Sequence, residues 1–143
     1  MTISRAETDV DIARCFQVMQ QLRPQLIEAE FVSRVRRMQT EGFILAYLTA
    51  DDAVRAVAGY RYHEKLFSGR TLYVDDLVTD SAERSRGFGA KLLNWLADEA
   101  RTRGCALLEL DSGVQRFDAH RFYFRERMHV SAYHFVVPLK TSS

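Results

Sequence analysis

Apolar residues recur along this chain at two spacings, and each spacing predicts an element. "ISRAET" near the start reads as a short strand. Ile12, Phe16 and Met19 then recur at i, i+4 and i+7, which places their side chains on one face of a helix. Thr8 or Asp9 can cap that helix, and Pro24 predicts its end, because the residue before a proline is driven out of helical backbone angles. A second helix is expected from about Glu28 to Glu41, with Phe31, Val35 and Met38 on one face and Gly42 just past its end. "FILAYLT", the turn "ADDA" and "VRAVAGYRYHE" predict an antiparallel hairpin, in which Gly59 signals a bulge or a close backbone approach.

The second half changes pattern. "RTLYVDDLVTD" reads as a strand, followed by the loop "ERSRGFG", an amphipathic helix closed by Gly104, and the strand "ALLELD". A strand, helix, strand unit favours a right-handed crossover and a parallel pair. "FDAHRFYFRERM" is expected to be a helix begun by Asp118, and "VSAYHFVVPL" a last strand. The predicted order is β, α, α, β, β, β, α, β, α, β. It implies an α/β (α+β) fold with a mixed central sheet and helices on both faces, in one domain over residues 1–143. No linker, repeat or low-complexity stretch interrupts it.

Composition narrows the function classes. A chain of 143 residues is one ordinary domain, and its formal net charge of +1 provides no global field for nucleic acid or an acidic membrane surface. The longest apolar runs are strand-sized, and "MTISRAETDVD" is acidic where a signal peptide would be basic and then apolar, so a cytoplasmic protein is expected. Cys15 and Cys105 fit neither a metal knuckle nor a redox pair and are expected to be reduced, buried thiols. His129 and His134 lack ligand spacing and companions, and no metal is expected.

The loop before the long helix carries the clearest chemistry. Gly87 and Gly89 allow a tight turn and bring backbone N–H groups close to a ligand. Those amides lie at a helix start, where unpaired donors and the positive dipole end favour an anion. Arg84, Arg86 and Lys91 add cationic side chains around the same point, as a pyrophosphate would require. The stretch is neither a Walker loop nor a complete G-x-G-x-x-G motif.

Arg84, Gly87 and Gly89 in "RSRGFG" match the R-x-x-G-x-G signature of the GNAT N-acetyltransferases, with "VDDLV" before it and "AHRFYFRERM" after it where that family places its acceptor-side strand and late helix. The chain resembles that family in element order along its whole length, most strongly from Leu72 to Val137. The resemblance implies acetyl-CoA as cosubstrate, with its pyrophosphate on the amides from Arg86 through Gly87, Phe88 and Gly89 to Ala90, beside Arg84, Ser85 and Lys91. It also implies that the pantetheine arm runs like an added strand along Leu77, Val78 and Thr79, with a backbone N–H near Val78 polarising the acetyl carbonyl.

Tyr123 matches the family tyrosine that protonates the departing thiolate. The base that frees the amine is expected to be Asp76, with Asp75 or a water chain as the alternatives; as strand neighbours the two acids are expected to face opposite ways. "QRFDAHRFYFRERMHVSAYHF" is similar to the same region of aminoalkylphosphonate N-acetyltransferases and their bacterial relatives. If the acceptor is anionic as well as aminated, Arg61, His63, Arg116 or His120 could hold its acid group, although each also has an ordinary structural use. The family pattern is broken at Met128, where relatives carry Gly-Phe, and around Gln115 to Asp118, where relatives carry an asparagine that binds the coenzyme. The expected partner is a small-molecule amine, with no nucleic acid and no membrane, and a homodimer is the default assembly. A protein amine as acceptor and a non-catalytic acyl-CoA-binding sensor are the rival readings.

Overall fold

The computed structural model describes residues 1–140, and the chain divides into two compact units, Met1–Leu110 and Asp111–Ser143. The first unit runs β1 (Thr2–Arg5), α1 (Asp9–Arg14), α2 (Phe16–Leu22), α3 (Glu28–Gln39), β2 (Ile44–Ala50), β3 (Ala53–Lys65), β4 (Gly69–Thr79), a 3-10 turn (Ser81–Arg86), α4 (Phe88–Thr102) and β5 (Leu107–Leu110). Its strands form one sheet in the order β1-β2-β3-β4-β5, antiparallel except for the parallel β4–β5 pair.

Alternation along the strands builds a core on each face. Leu45, Tyr47, Val57 and Val78 pack on one side with Ile12, Phe16, Phe31 and Val35 from α1, α2 and α3. Ala46, Leu48, Ala58, Tyr60, Leu72 and Val74 pack on the other with Phe88, Leu92, Leu96 and Ala100 of α4. This is the expected sheet with helices on both faces.

The first predicted helix is two. Thr8 provides the cap, accepting from the Asp11 amide, but the Cys15 amide bonds back three residues to Ile12 and re-phases the helix there. Cys15 is buried, and burial pushes its thiol up to about 12; Cys105 is half-buried rather than buried.

One irregularity of the sheet matters for function. Gly59 pairs with Asp76 while Tyr60 pairs with Val74, so Asp75 is an extra residue on β4. This bulge breaks the alternation. Val74 and Leu77 belong to the α4 face, and Asp75 and Asp76 both turn to the face of α1–α3. The expectation that the two acids point apart is therefore corrected.

The second unit contains α5 (Phe117–Arg125), which begins one residue before Asp118 and has no side-chain cap. Asp118 instead accepts from Arg121 at 2.5 Å. The helix closes without a glycine: Arg127 takes left-handed angles (φ 66°), and the Met128 and Arg127 amides return to the carbonyls of Tyr123 and Phe124, both at 3.0 Å. No strand forms over 130–139, where one was expected. Alternation supplies a strand with faces but not with a neighbour, and a ladder needs a second backbone to pair its N–H and C=O groups.

Candidate active site

β4 leads into the 3-10 turn and then α4, and Gly87 at the junction has φ 77° and ψ 15°. Only glycine adopts such left-handed angles without a Cβ penalty. The first helical bond of α4 runs from the Lys91 amide to the Gly87 carbonyl at 3.1 Å, and no side chain caps the helix. The amides of Phe88, Gly89 and Ala90 therefore precede the first bonded turn, on a helix of 15 residues whose dipole adds positive potential. This geometry fits a pyrophosphate.

The cationic side chains divide. Arg84, Ser85 and Lys91 are exposed around the turn. Arg86 is engaged: its Nη1 donates to Asp51 Oδ2 (2.9 Å) and Glu83 Oε2 (3.0 Å), and its guanidinium lies 4.7 Å from the Phe88 ring centroid. These pairs raise the Arg86 pKa and hold the Asp51 carboxyl below the usual range. Arg55 supports the same turn from β3, with Nη1 3.3 Å from Glu83 Oε1 and Nε donating to the Ala50 carbonyl at 3.1 Å.

β4 also presents an open edge. Its ladder with β5 ends at the Val74–Leu110 pair, yet β4 continues to Thr79. One edge of 75–79, including Leu77, Val78 and Thr79, thus has no strand beside it among the described residues. Such an edge can pair with an extended ligand.

The two acids of β4 meet two arginines. Arg23, at the end of α2, donates from Nε to Asp76 Oδ1 (2.8 Å) and from Nη2 to the Asp75 carbonyl (3.1 Å). Arg61 of β3 grips Asp75 with Nε–Oδ1 3.1 Å and Nη2–Oδ2 2.7 Å, and its guanidinium lies 5.5 Å from the Phe43 ring centroid. The Asp76 side chain is only 14 % exposed. Burial, reinforced by the Asp75 charge, holds its carboxyl above the ordinary aspartate range, although Arg23 and Arg61 pull it down. Arg23 escaped the sequence reading. It lies 53 residues from Asp76, and no local signal connects them.

The remaining candidates are placed separately. His63 lies 3.6 Å from Glu109 Oε1, which also accepts from Lys65 Nζ at 2.6 Å. In the second unit, His120 Nε2 lies 2.8 Å from the Gly113 carbonyl, which also accepts from the Arg116 amide at 3.0 Å; both residues shape the turn into α5. Tyr123 is half-buried on α5, its ring 5.4 Å from that of Phe122.

Residues 11–129 match the family model described as Acetyltransferase (GNAT) family. The chain belongs to the GNAT acetyltransferases. It is 37 % identical over 112 residues to the uncharacterized N-acetyltransferase YhdJ of Bacillus subtilis (strain 168), covering 78 % of this chain and 79 % of that protein. It is 39 % identical over 66 residues to the aminoalkylphosphonate N-acetyltransferase of Salmonella typhimurium, over 46 % of this chain and 43 % of that one. Among solved structures, the ribosomal-protein-alanine N-acetyltransferase of Brucella melitensis biovar Abortus 2308 superposes with a TM-score of 0.83 at 15 % identity, covering 97 % of this chain and 100 % of that one. That likeness concerns the fold alone. GNAT acetyltransferases use acetyl-CoA as cosubstrate, and no helix among the described residues is long and apolar enough to cross a membrane.

Proposed function

We propose that this GNAT acetyltransferase moves an acetyl group from acetyl-CoA to the primary amine of a small polar metabolite, by direct attack on the thioester. The bulge in β4 carries the proposal. It turns Asp75 and Asp76 to one face, while the open edge of 75–79 leads toward the uncapped N-terminus of α4.

Each part then has a task. The amides of Phe88, Gly89 and Ala90 hold the pyrophosphate, helped by Arg84 and Lys91. Leu77, Val78 and Thr79 pair with the extended pantetheine arm, and a backbone N–H near Val78 polarises the thioester carbonyl. Asp76 takes a proton from the acceptor ammonium, because burial raises its pKa above the ordinary aspartate range and makes it a stronger base than an exposed carboxylate. Arg23 is a positioning residue that orients Asp76 through Oδ1. Tyr123 gives its phenolic proton to the departing thiolate as the N–C bond forms and the S–C bond breaks, and the second proton shed by the amine nitrogen, relayed through water, restores the phenol. We further propose that residues 1–143 act as one catalytic domain in a cytoplasmic homodimer.

Thiol release from acetyl-CoA, followed with a panel of primary amines, tests the proposal. Turnover with at least one amine is expected, and Tyr123→Phe should lower kcat by about 100-fold where chemistry limits the rate. Acetyl-CoA binding with no turnover on any amine would favour a sensor. Full turnover by Tyr123→Phe in single-turnover assays would remove Tyr123 from the acid role.

A further inference from the structure

Two side chains from the last turn of α2 reach β4, one on each side of the stretch proposed to receive the pantetheine arm. Arg23 holds Asp76 and the Asp75 carbonyl before that stretch. Gln21 holds the corner after it: its Oε1 accepts from the Ser81 amide at 2.8 Å, and its Nε2 donates to Asp80 Oδ1 at 3.2 Å. Leu77, Val78 and Thr79 lie between the two anchors.

That corner calls for a carboxamide. Ser81 offers a donor and Asp80 an acceptor, so their partner needs one group of each kind, and neither a glutamate carboxylate nor a thioether supplies both. Asp80 is itself fixed. Its Oδ1 also accepts from the Ala82 amide at 3.3 Å, capping the 3-10 turn, and its own amide donates to the Arg55 carbonyl at 2.8 Å. Gln21 therefore ties α2 to a fixed point at the entrance of the turn that leads to Gly87 and α4.

α2 depends on such ties. It has seven residues and stops at Arg23, after which Pro24 has no amide to extend it. A helix this short is placed by its contacts more than by its own hydrogen bonds. Phe16, Val18 and Met19 fix its inner face, while Gln21 and Arg23 fix its last turn against β4. Gln21 is exposed, so water can replace both partners at little cost to the fold. Its two bonds thus add little to stability and much to placement.

We infer that Gln21 is a positioning residue for the proposed base: it anchors the last turn of α2 at Asp80 and Ser81, and so sets where Arg23 holds Asp76. The inference rests on the proposed role of Asp76 as base.

Gln21→Met, similar in length and without either bond, tests it. Kinetics of the full chain use saturating acetyl-CoA and whichever of ethanolamine, 2-aminoethylphosphonate and 1,3-diaminopropane the wild type acetylates fastest. The variant should melt close to the wild type and bind acetyl-CoA within about 2-fold of it, because Asp80 keeps its bonds to Ala82 and Arg55. It should lose about 3–10-fold in kcat/KM for the amine.

The pH profile separates placement from a merely structural role. Asp76 faces Arg23 from α2, Arg61 from β3 and Asp75 within β4, and the charge of Glu41, just beyond α3, acts on Arg61. Only Arg23 moves with α2. Arg23 pulls the Asp76 pKa down, so loosening it should move the acidic limb of kcat/KM to higher pH by about 0.3–1 unit, the shift that a roughly 2–10-fold weaker interaction gives. The position of a limb does not depend on the amount of folded enzyme. In an Arg23→Met background, Gln21→Met should change neither the limb nor the rate further.

An unmoved limb in Gln21→Met, where Asp76→Asn loses the limb, overturns the inference and leaves Asp76 as the base. Equal losses from Gln21→Met with and without Arg23, or a loss confined to acetyl-CoA affinity, also overturn it. A limb retained by Asp76→Asn removes the base role of Asp76 and the inference with it. No turnover of any of the three amines removes the transfer to small amines on which both rest.

Discussion

Gly59 has no side chain to contribute, yet Gly59→Ala is expected to damage both the fold and the site. Gly59 pairs with Asp76 beside the bulge, on the face of α1–α3. A Cβ added there would lie 2.5 Å from Phe43 Cζ, 2.6 Å from Phe43 Cε1 and 2.7 Å from Asp76 Oδ2. All are inside contact distance, so something must move. The Phe43 ring is 4 % exposed and supports the Arg61 guanidinium, and Asp76 is held by Arg23. Neither neighbour is the free end of a flexible chain. Overpacking of this kind costs about 1–3 kcal/mol. For a chain of this size that corresponds to a fall in melting temperature of roughly 3–10 °C. Displacing Asp76 Oδ2 should also lower kcat/KM for the amine by about 10-fold or more, with the KM for acetyl-CoA little changed. Thermal melts and steady-state kinetics on the same preparation measure both. Phe43→Leu in the Gly59→Ala background should recover part of the lost stability, giving a coupling energy of about 1 kcal/mol. A single variant that melts within 1 °C or so of the wild type and keeps full turnover would refute the reasoning.

The remaining predictions address other parts of the molecule. Because burial holds Asp76 above the ordinary carboxylate range against Arg23 and Arg61, the acidic limb of kcat/KM should lie above that range; activity is present above the Asp76 pKa and lost as pH falls through it, and Asp76→Asn should abolish most activity together with the limb. The same raised value makes folded protein bind more protons than unfolded, so this group's contribution to stability declines as pH rises from the ordinary range through the folded pKa, as denaturant titrations across acidic pH would show. Arg127→Gly should stabilise the end of α5 by up to about 1 kcal/mol, since φ 66° costs arginine what glycine avoids; a lower denaturation midpoint would contradict this. Arg55→Met should raise the KM for acetyl-CoA several-fold, about 3–10-fold, with kcat retained at saturation, because Arg55 holds the turn before α4 through Glu83 without belonging to the proposed coenzyme contacts.

The parts legible in the sequence are those fixed by local chemistry. Thr8 capping α1, Gly42 ending α3 and Gly104 ending α4 follow from backbone angles and unpaired amides that neighbouring residues determine. The warning at Gly59 was legible too, as a glycine inside an apolar strand. Its consequence was not. A bulge is a property of two paired strands, and only the β3–β4 register shows that Asp75 is the extra residue and that both acids share a face. Arg23 is invisible for the same reason, because it reaches Asp76 through the packing of α2 on the sheet. Arg86 appeared to be a free phosphate ligand in the loop sequence; Asp51, brought near by the β2–β3 turn, pairs with it. The break at Cys15 left the apolar spacing intact, so periodicity could not reveal it. The alternating run at 130–139 shows the converse, since pattern alone does not provide a pairing edge.

The central claim is that the N-terminus of α4 receives the coenzyme's phosphates. Calorimetric titration of acetyl-CoA into the wild type and into Gly89→Trp tests it most directly, since an indole in the first turn of α4 would cover the free amides. The wild type should bind one acetyl-CoA per site, and the variant should lose at least about 10-fold in affinity while its melting temperature stays close to wild type. No binding by the wild type, or equal affinity in the two proteins, would contradict the account.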